Sequence, residues 1–244
     1  MVGRKRWWST WLAILVVSAL IESFLAPSPL VSVDRLGTFV SLAVASCLLG
    51  AVQFAVALRV RRRLVPDVEA VFVPQALGLA MAIGAVIVSR ALDFQPGYIY
   101  GIVGALAVLP ELASDRDAGR RALHVLGALL VVGLLAWLLE PAAERLSRDL
   151  AALLQTVFVV SLQSVFFALP PLAITDGGDL YTWNRRVWGA CALGVGFLFF
   201  HIVMNPGFED VQLLQANTVF SILVLYAMSG VVTLSLWLGF RKAG

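Results

Sequence analysis

A chain of 244 residues that is 60% hydrophobic and only 14% charged lacks the polar surface a soluble domain of this size needs, and is too apolar for disorder. Its net charge of +3 is small, and the basic residues gather at the ends of apolar runs, so the pattern has no nucleic-acid-binding stripe. What remains is an all-α, polytopic integral membrane protein whose first partner is the lipid bilayer.

The basic N-terminal stretch Arg4-Lys5-Arg6 before Trp7 is similar to the start of a signal peptide. The apolar run that follows has no small-x-small cleavage site, so it is expected to stay as a first helix. Crossing about 30 Å of hydrocarbon takes about 20 residues of helix. Apolar runs of that order fall at 7–26, 37–58, 71–92, 94–113, 121–139, 150–172, 187–204 and 216–240, all within one membrane domain. Prolines separate them, including Pro27, Pro66, Pro96, Pro141, Pro170-Pro171 and Pro206. Arg and Lys concentrate in cytoplasmic loops. With eight crossings and both termini cytoplasmic, 14 of the 18 basic residues lie inside; a re-entrant 94–113 segment splits them evenly. The expectation is therefore eight crossings of a cell membrane, inner or plasma. Trp7, Trp8, Trp137, Trp183, Trp188 and Trp237 sit near span ends, as an interfacial belt requires.

Two loops stand out. The outer hairpin Pro96-Gly97-Tyr98 follows Arg90 and Asp93, and Glu22 and His201 are expected on the same side. These residues form either a small outward-facing polar cavity or, more simply, a set that snorkels to the headgroups. Gln155 and Gln163 project from about the same face of the 150–172 helix, suited to interhelical hydrogen bonds or to a polar pathway. A Pro-Gly pair recurs 110 residues on at Pro206-Gly207, a spacing that suits a duplication of four spans.

The second loop, on the cytoplasmic side, runs from Pro170-Pro171 through Asp176-Gly177-Gly178 to Trp183-Asn184-Arg185-Arg186. An aspartate beside two glycines at a helix break can face a metal, a proton or an arginine, or form an ordinary Asx turn, which local physics favours. The Pro-Pro-Leu…Asp-Gly-Gly stretch resembles an element of site-2-type intramembrane metalloproteases, in which such an aspartate is a zinc ligand. Phe-Ala-Leu-Pro, Asp-Gly-Gly, Trp-Asn-Arg and Phe-Gln-Pro-Gly-Tyr-Ile-Tyr-Gly together are more similar to bacterial membrane proteins named for an FGLLP motif. The arginine-rich, alanine- and valine-rich composition also looks bacterial. Against the protease pattern, the chain has no His-Glu-x-x-His helix, only His124 and His201, 77 positions apart. The resemblance thus implies a catalytically silent, pseudoprotease-like relative. Neither a serine-nucleophile nor a Walker motif is present, and no Cys/His cluster suits a metal, so no cofactor is expected. The leading expectation is a non-enzymatic subunit or scaffold, engaging other membrane proteins or a second copy through the 176–186 loop and the Pro96-Gly97 hairpin. A small transporter or channel is the alternative, and a residual metalloprotease a third.

Overall fold

The computed structural model describes residues 33–64, 114–172, 175–199 and 201, with a few positions between 12 and 23. The expected spans 71–92, 94–113 and 216–240, and most of 7–26, lie outside the described residues. Those described are helical, with no strand: α1 (Val33–Leu64), α2 (Asp115–Glu144), α3 (Arg148–Ala168), α4 (Asp176–Trp183) and α5 (Arg185–Leu198). Three of these helices, α1 to α3, are long and apolar enough to cross a membrane. The expected spans 37–58 and 121–139 fall within α1 and α2.

Two boundaries differ from expectation, both at prolines. Pro141 does not end α2, which continues to Glu144. A proline there removes one ladder bond, the one its N–H would give the Trp137 carbonyl; the helix then closes with the Leu146 and Ser147 amides on the Ala143 carbonyl at 2.9 and 2.8 Å. Conversely, α3 stops at Ala168, short of the expected 172, because Pro170 and Pro171 in succession supply no N–H to continue the ladder. At its start α2 is capped by Ser114, whose side chain accepts from the Asp117 amide, and Asp115 and Asp117 face the positive end of the helix dipole.

α2 and α3 form an antiparallel hairpin through the short 145–147 connection, with α1 packed against both. In α3, 56% of the apolar stretch is buried, against 33% in α2 and 28% in α1, so α3 is the central helix. The α2 seam reads Ala122, Val125, Leu126, Leu129, Gly133, Ala136, a helical spacing dominated by small and aliphatic residues. Lipid tails are as apolar as leucine, so close packing and interhelical hydrogen bonds hold such helices together, and exposed Val131, Leu135 and Leu138 carry no penalty there. At the tightest point of the seam, fully buried Ser161 on α3 donates its hydroxyl to the Leu129 carbonyl of α2 at 2.6 Å. Gly133 permits that approach: a Cβ there would fall 2.6 Å from Ser161 Oγ.

Gly133→Ala should therefore destabilise the protein by about 1–3 kcal/mol through overpacking. Thermal unfolding of the purified chain in detergent measures it. The same change in a Ser161→Gly background should cost less, and strictly additive effects would deny the direct contact.

Candidate functional site

The Pro-Pro break leaves the carbonyls of Leu169 and Pro170 without helical partners, and the Leu172 amide turns back to the second of them at 2.8 Å. The following segment supplies a side-chain donor to each. Trp188 Nε1 donates to the Leu169 carbonyl at 2.8 Å, and Thr175 Oγ1 donates to the Pro170 carbonyl at 2.5 Å, sharing its proton with the Leu172 carbonyl at 2.9 Å. The same Thr175 oxygen accepts from the Gly178 amide at 3.1 Å and so caps α4.

The Asp-Gly-Gly sequence thus starts a two-turn helix, Asp176–Trp183, and is not the Asx turn that local physics favours. Thr175 takes the capping position, and Asp176 and Asp179 then lie in the first turn, where the helix dipole favours negative charge. Gly177 and Gly178 are buried. Gly177 lies against the α3 terminus so closely that a Cβ would overlap the Leu169 carbonyl and fall 2.7 Å from the Pro170 oxygen. On the opposite flank α4 lies on α2, where Gly119 leaves room for the Trp183 side chain; a Cβ there would come within 2.9 Å of the Asp179 carbonyl.

One interaction crosses this interface with charge. Arg121 Nη2 of α2 bonds Asp176 Oδ1 at 3.2 Å and Asp179 Oδ2 at 2.9 Å. Three residues apart on a helix, the two carboxylates share a face, so one guanidinium reaches both. Of the destinations open to Asp176 in the sequence, the fold supplies an arginine. The site does not suit a zinc ion, because a permanent cation already faces both carboxylates. Among the described residues no three His, Cys, Asp or Glu side chains gather. The Asp176 carboxyl keeps only 22% of its side-chain surface exposed. Burial pushes its pKa up; Arg121 pulls it down and the neighbouring Asp179 raises it further, with burial the largest influence.

The rest of the motif is local architecture with one exposed edge. Asn184 caps α5, its side-chain oxygen accepting from the Arg186 and Val187 amides at 3.0 and 3.2 Å. Tyr181 meets Trp188 edge-on with centroids 5.2 Å apart, and the Arg185 guanidinium lies 5.0 Å from the Tyr181 ring centre. Arg185 and Arg186 stay exposed. Trp183 and Trp188 are half-buried against protein, so packing accounts for them as much as an interfacial belt.

Of the outer cluster, only His201 is described; it is exposed and stacks on Phe197, centroids 5.1 Å apart. Glu22, Arg90, Asp93, Pro96, Gly97 and Tyr98 lie outside the described residues. Gln163 is 3% exposed and its Oε1 has no hydrogen-bond partner among the described residues, while Gln155 is half-buried. Sequence reasoning missed Gly119 and Arg121 as parts of the site, since nothing local ties them to a loop more than 50 positions away. Comparison with family models, with curated proteins and with solved structures yields no match.

Two outcomes follow. Below about pH 3.9 an aspartate is neutral in folded and unfolded chains alike; above it the unfolded chain loses its proton first. A raised folded pKa therefore makes Asp176 lower the stability as pH climbs from there to the folded value. Asp176→Asn should flatten this fall in thermal unfolding between pH 4 and 7, leaving the variant at least as stable as the native chain at pH 7. A variant that loses more stability at pH 7 than at pH 4 would mean the ion pair outweighs burial. Gly177→Ala should undock α4, read as faster protease cleavage between Leu172 and Trp183; unchanged cleavage would refute the close contact.

Proposed function

We propose that this chain is a multi-pass bacterial membrane protein acting by association, as a subunit or scaffold of a membrane complex and without catalytic chemistry of its own. The observation that carries this reading is the division of labour in the 176–186 segment. Both carboxylates turn inward onto Arg121, while Asn184, Arg185 and Arg186 form an exposed, pre-ordered cationic edge. A docking edge that is already folded saves the ordering entropy a flexible loop would lose on binding. Its partner is an acidic face on another membrane subunit or on a second copy. Kinship with the FGLLP-motif proteins, and with site-2-type proteases as an inactive relative, fits this reading, since the aspartates serve a structural ion pair.

The proposed topology has eight crossings of the inner or plasma membrane with both termini and the 176–186 loop cytoplasmic. Support comes from the ends of two helices. Val56, Arg59, Val60 and Arg63 near the end of α1 line one cleft with Arg120 and His124 near the start of α2. A chain that leaves and returns to the same side between these helices crosses an even number of times, in keeping with two full spans at 71–92 and 94–113. A transporter reading retains one observation, the buried amide oxygen of Gln163, which has no partner among the described residues.

Affinity purification from native membranes should recover a stable partner or a homo-oligomer, and Arg185→Glu with Arg186→Glu should release it. A chain that remains a lone monomer in both forms sinks the scaffold reading. Alkaline phosphatase fused after residue 96 should be active, and fused after residues 66 or 178 inactive. Activity at 178 would overturn the topology.

A further inference from the structure

The cleft between α1 and α2 has a composition that the scaffold reading leaves unused. It has a volume of about 480 Å³ and is lined by Val56, Arg59, Val60 and Arg63 of α1 and by Arg120 and His124 of α2. That volume lies in the range of small-molecule sites. The residues pair at four-residue spacing, 56 with 60, 59 with 63 and 120 with 124, so two helix faces converge on it. Among the described residues no carboxylate lines the cleft, and none of its three arginines has an acidic partner. Arg121, one position on, is the arginine whose charge the protein neutralises itself. Three guanidinium groups around one space repel each other unless an anion joins them.

His124 adds a defined polar atom. Its Nδ1 lies 2.6 Å from the Arg120 carbonyl, which can only accept, so Nδ1 carries a proton; Nε2 is the ring nitrogen left for another partner and donates to an anion in the imidazolium form. The position of the cleft then separates two sources of anion. It sits at the end of the apolar stretch Leu36–Val60 and in the first turns of α2, at headgroup level if these helices cross the bilayer. Exposed Val40, Val44 and Leu48 climb α1 at four-residue spacing towards exposed Arg59, an apolar track continuous with the basic end. A free ion has no use for such a track, and an acyl chain does.

We infer that this cleft binds the phosphate headgroup of an anionic phospholipid, with an acyl chain along the exposed face of α1. Basic pockets between membrane helices on the cytoplasmic side take such headgroups by guanidinium–phosphate pairing. The site depends on the membrane placement of α1 and α2 and not on the partner edge at Arg185–Arg186.

The test is thermal unfolding of the full-length chain in neutral detergent, titrated separately with phosphatidylglycerol, phosphatidylcholine and inorganic phosphate. Phosphatidylglycerol should raise the Tm at lower concentration than phosphatidylcholine, and inorganic phosphate should not reproduce the effect. Arg59→Gln with Arg120→Gln should weaken the half-saturating phosphatidylglycerol concentration by roughly tenfold or more, while Arg185→Gln with Arg186→Gln should change it by less than about twofold. Arg63→Gln alone, a milder change at the same rim, gives the same reading if the double variant does not fold. Equal effects of the two lipids, or equal losses in the cleft and control variants, overturn the site. Full stabilisation by inorganic phosphate alone overturns the lipid assignment.

Discussion

Two consecutive prolines at the end of α3 create a need that much of this structure meets. Pro170 and Pro171 end the central helix just beyond buried Leu169, and the carbonyls of Leu169 and Pro170 are left to find donors outside the helix. Thr175 at the start of α4, together with the Leu172 amide, serves the Pro170 carbonyl, and Trp188 in the first turn of α5 serves that of Leu169. Because Thr175 and Trp188 lie on either side of α4, satisfying the carbonyls also fixes where that short helix lies. Glycine at 177 and at 119 then lets it close onto α3 and α2 with backbone-level contact on both sides. The Arg121 clasp fastens what hydrogen bonding has already positioned.

The same economy of small residues governs the long helices. Ser161 and Gly133 bring α2 and α3 together by removing side-chain bulk where the hydroxyl needs to reach a carbonyl of the facing helix. Bulkier groups fill the interface further along, where Trp137 stacks on Phe158 with centroids 6.0 Å apart, and Phe166 stacks on Phe199 at 4.2 Å, tying the end of α5 to α3. Such contacts stand in for the hydrophobic driving force that lipid surroundings remove.

The helical membrane character was legible because it rests on run length and charge, which are properties of single segments; α1 and α2 lie where apolar runs 37–58 and 121–139 put them. The boundaries at Pro141 and Ala168 were less so, since a single proline removes one ladder bond and a helix can run past it, whereas two in succession remove two neighbouring bonds. In the loop, the motif residues were visible but their roles were not. Asp176 offers the same side chain to a metal, a turn or an arginine, and only the docking of α4 on α2 selects among them. Thr175 was overlooked beside a more conspicuous Asp-Gly-Gly, although a hydroxyl just before a two-acid turn is the usual capping signal. Arg121 and Gly119 carry no local mark at all, because their meaning lies with partners 55 to 64 positions further on.

On the proposed topology, that separation would give Arg121 two successive roles during synthesis. Charge acts on helix orientation as each segment enters the bilayer, and α2 is made well before Asp176 and Asp179, which lie 55 and 58 positions later. At insertion Arg121 is an uncompensated cation beside Arg116 and Arg120, adding to the bias that holds the start of α2 on the proposed cytoplasmic side. Once α4 emerges and docks, the same guanidinium meets Asp176 and Asp179. On the proposed topology a single side chain would thus serve first as an orientation signal and then as the partner of two carboxylates made much later in the chain.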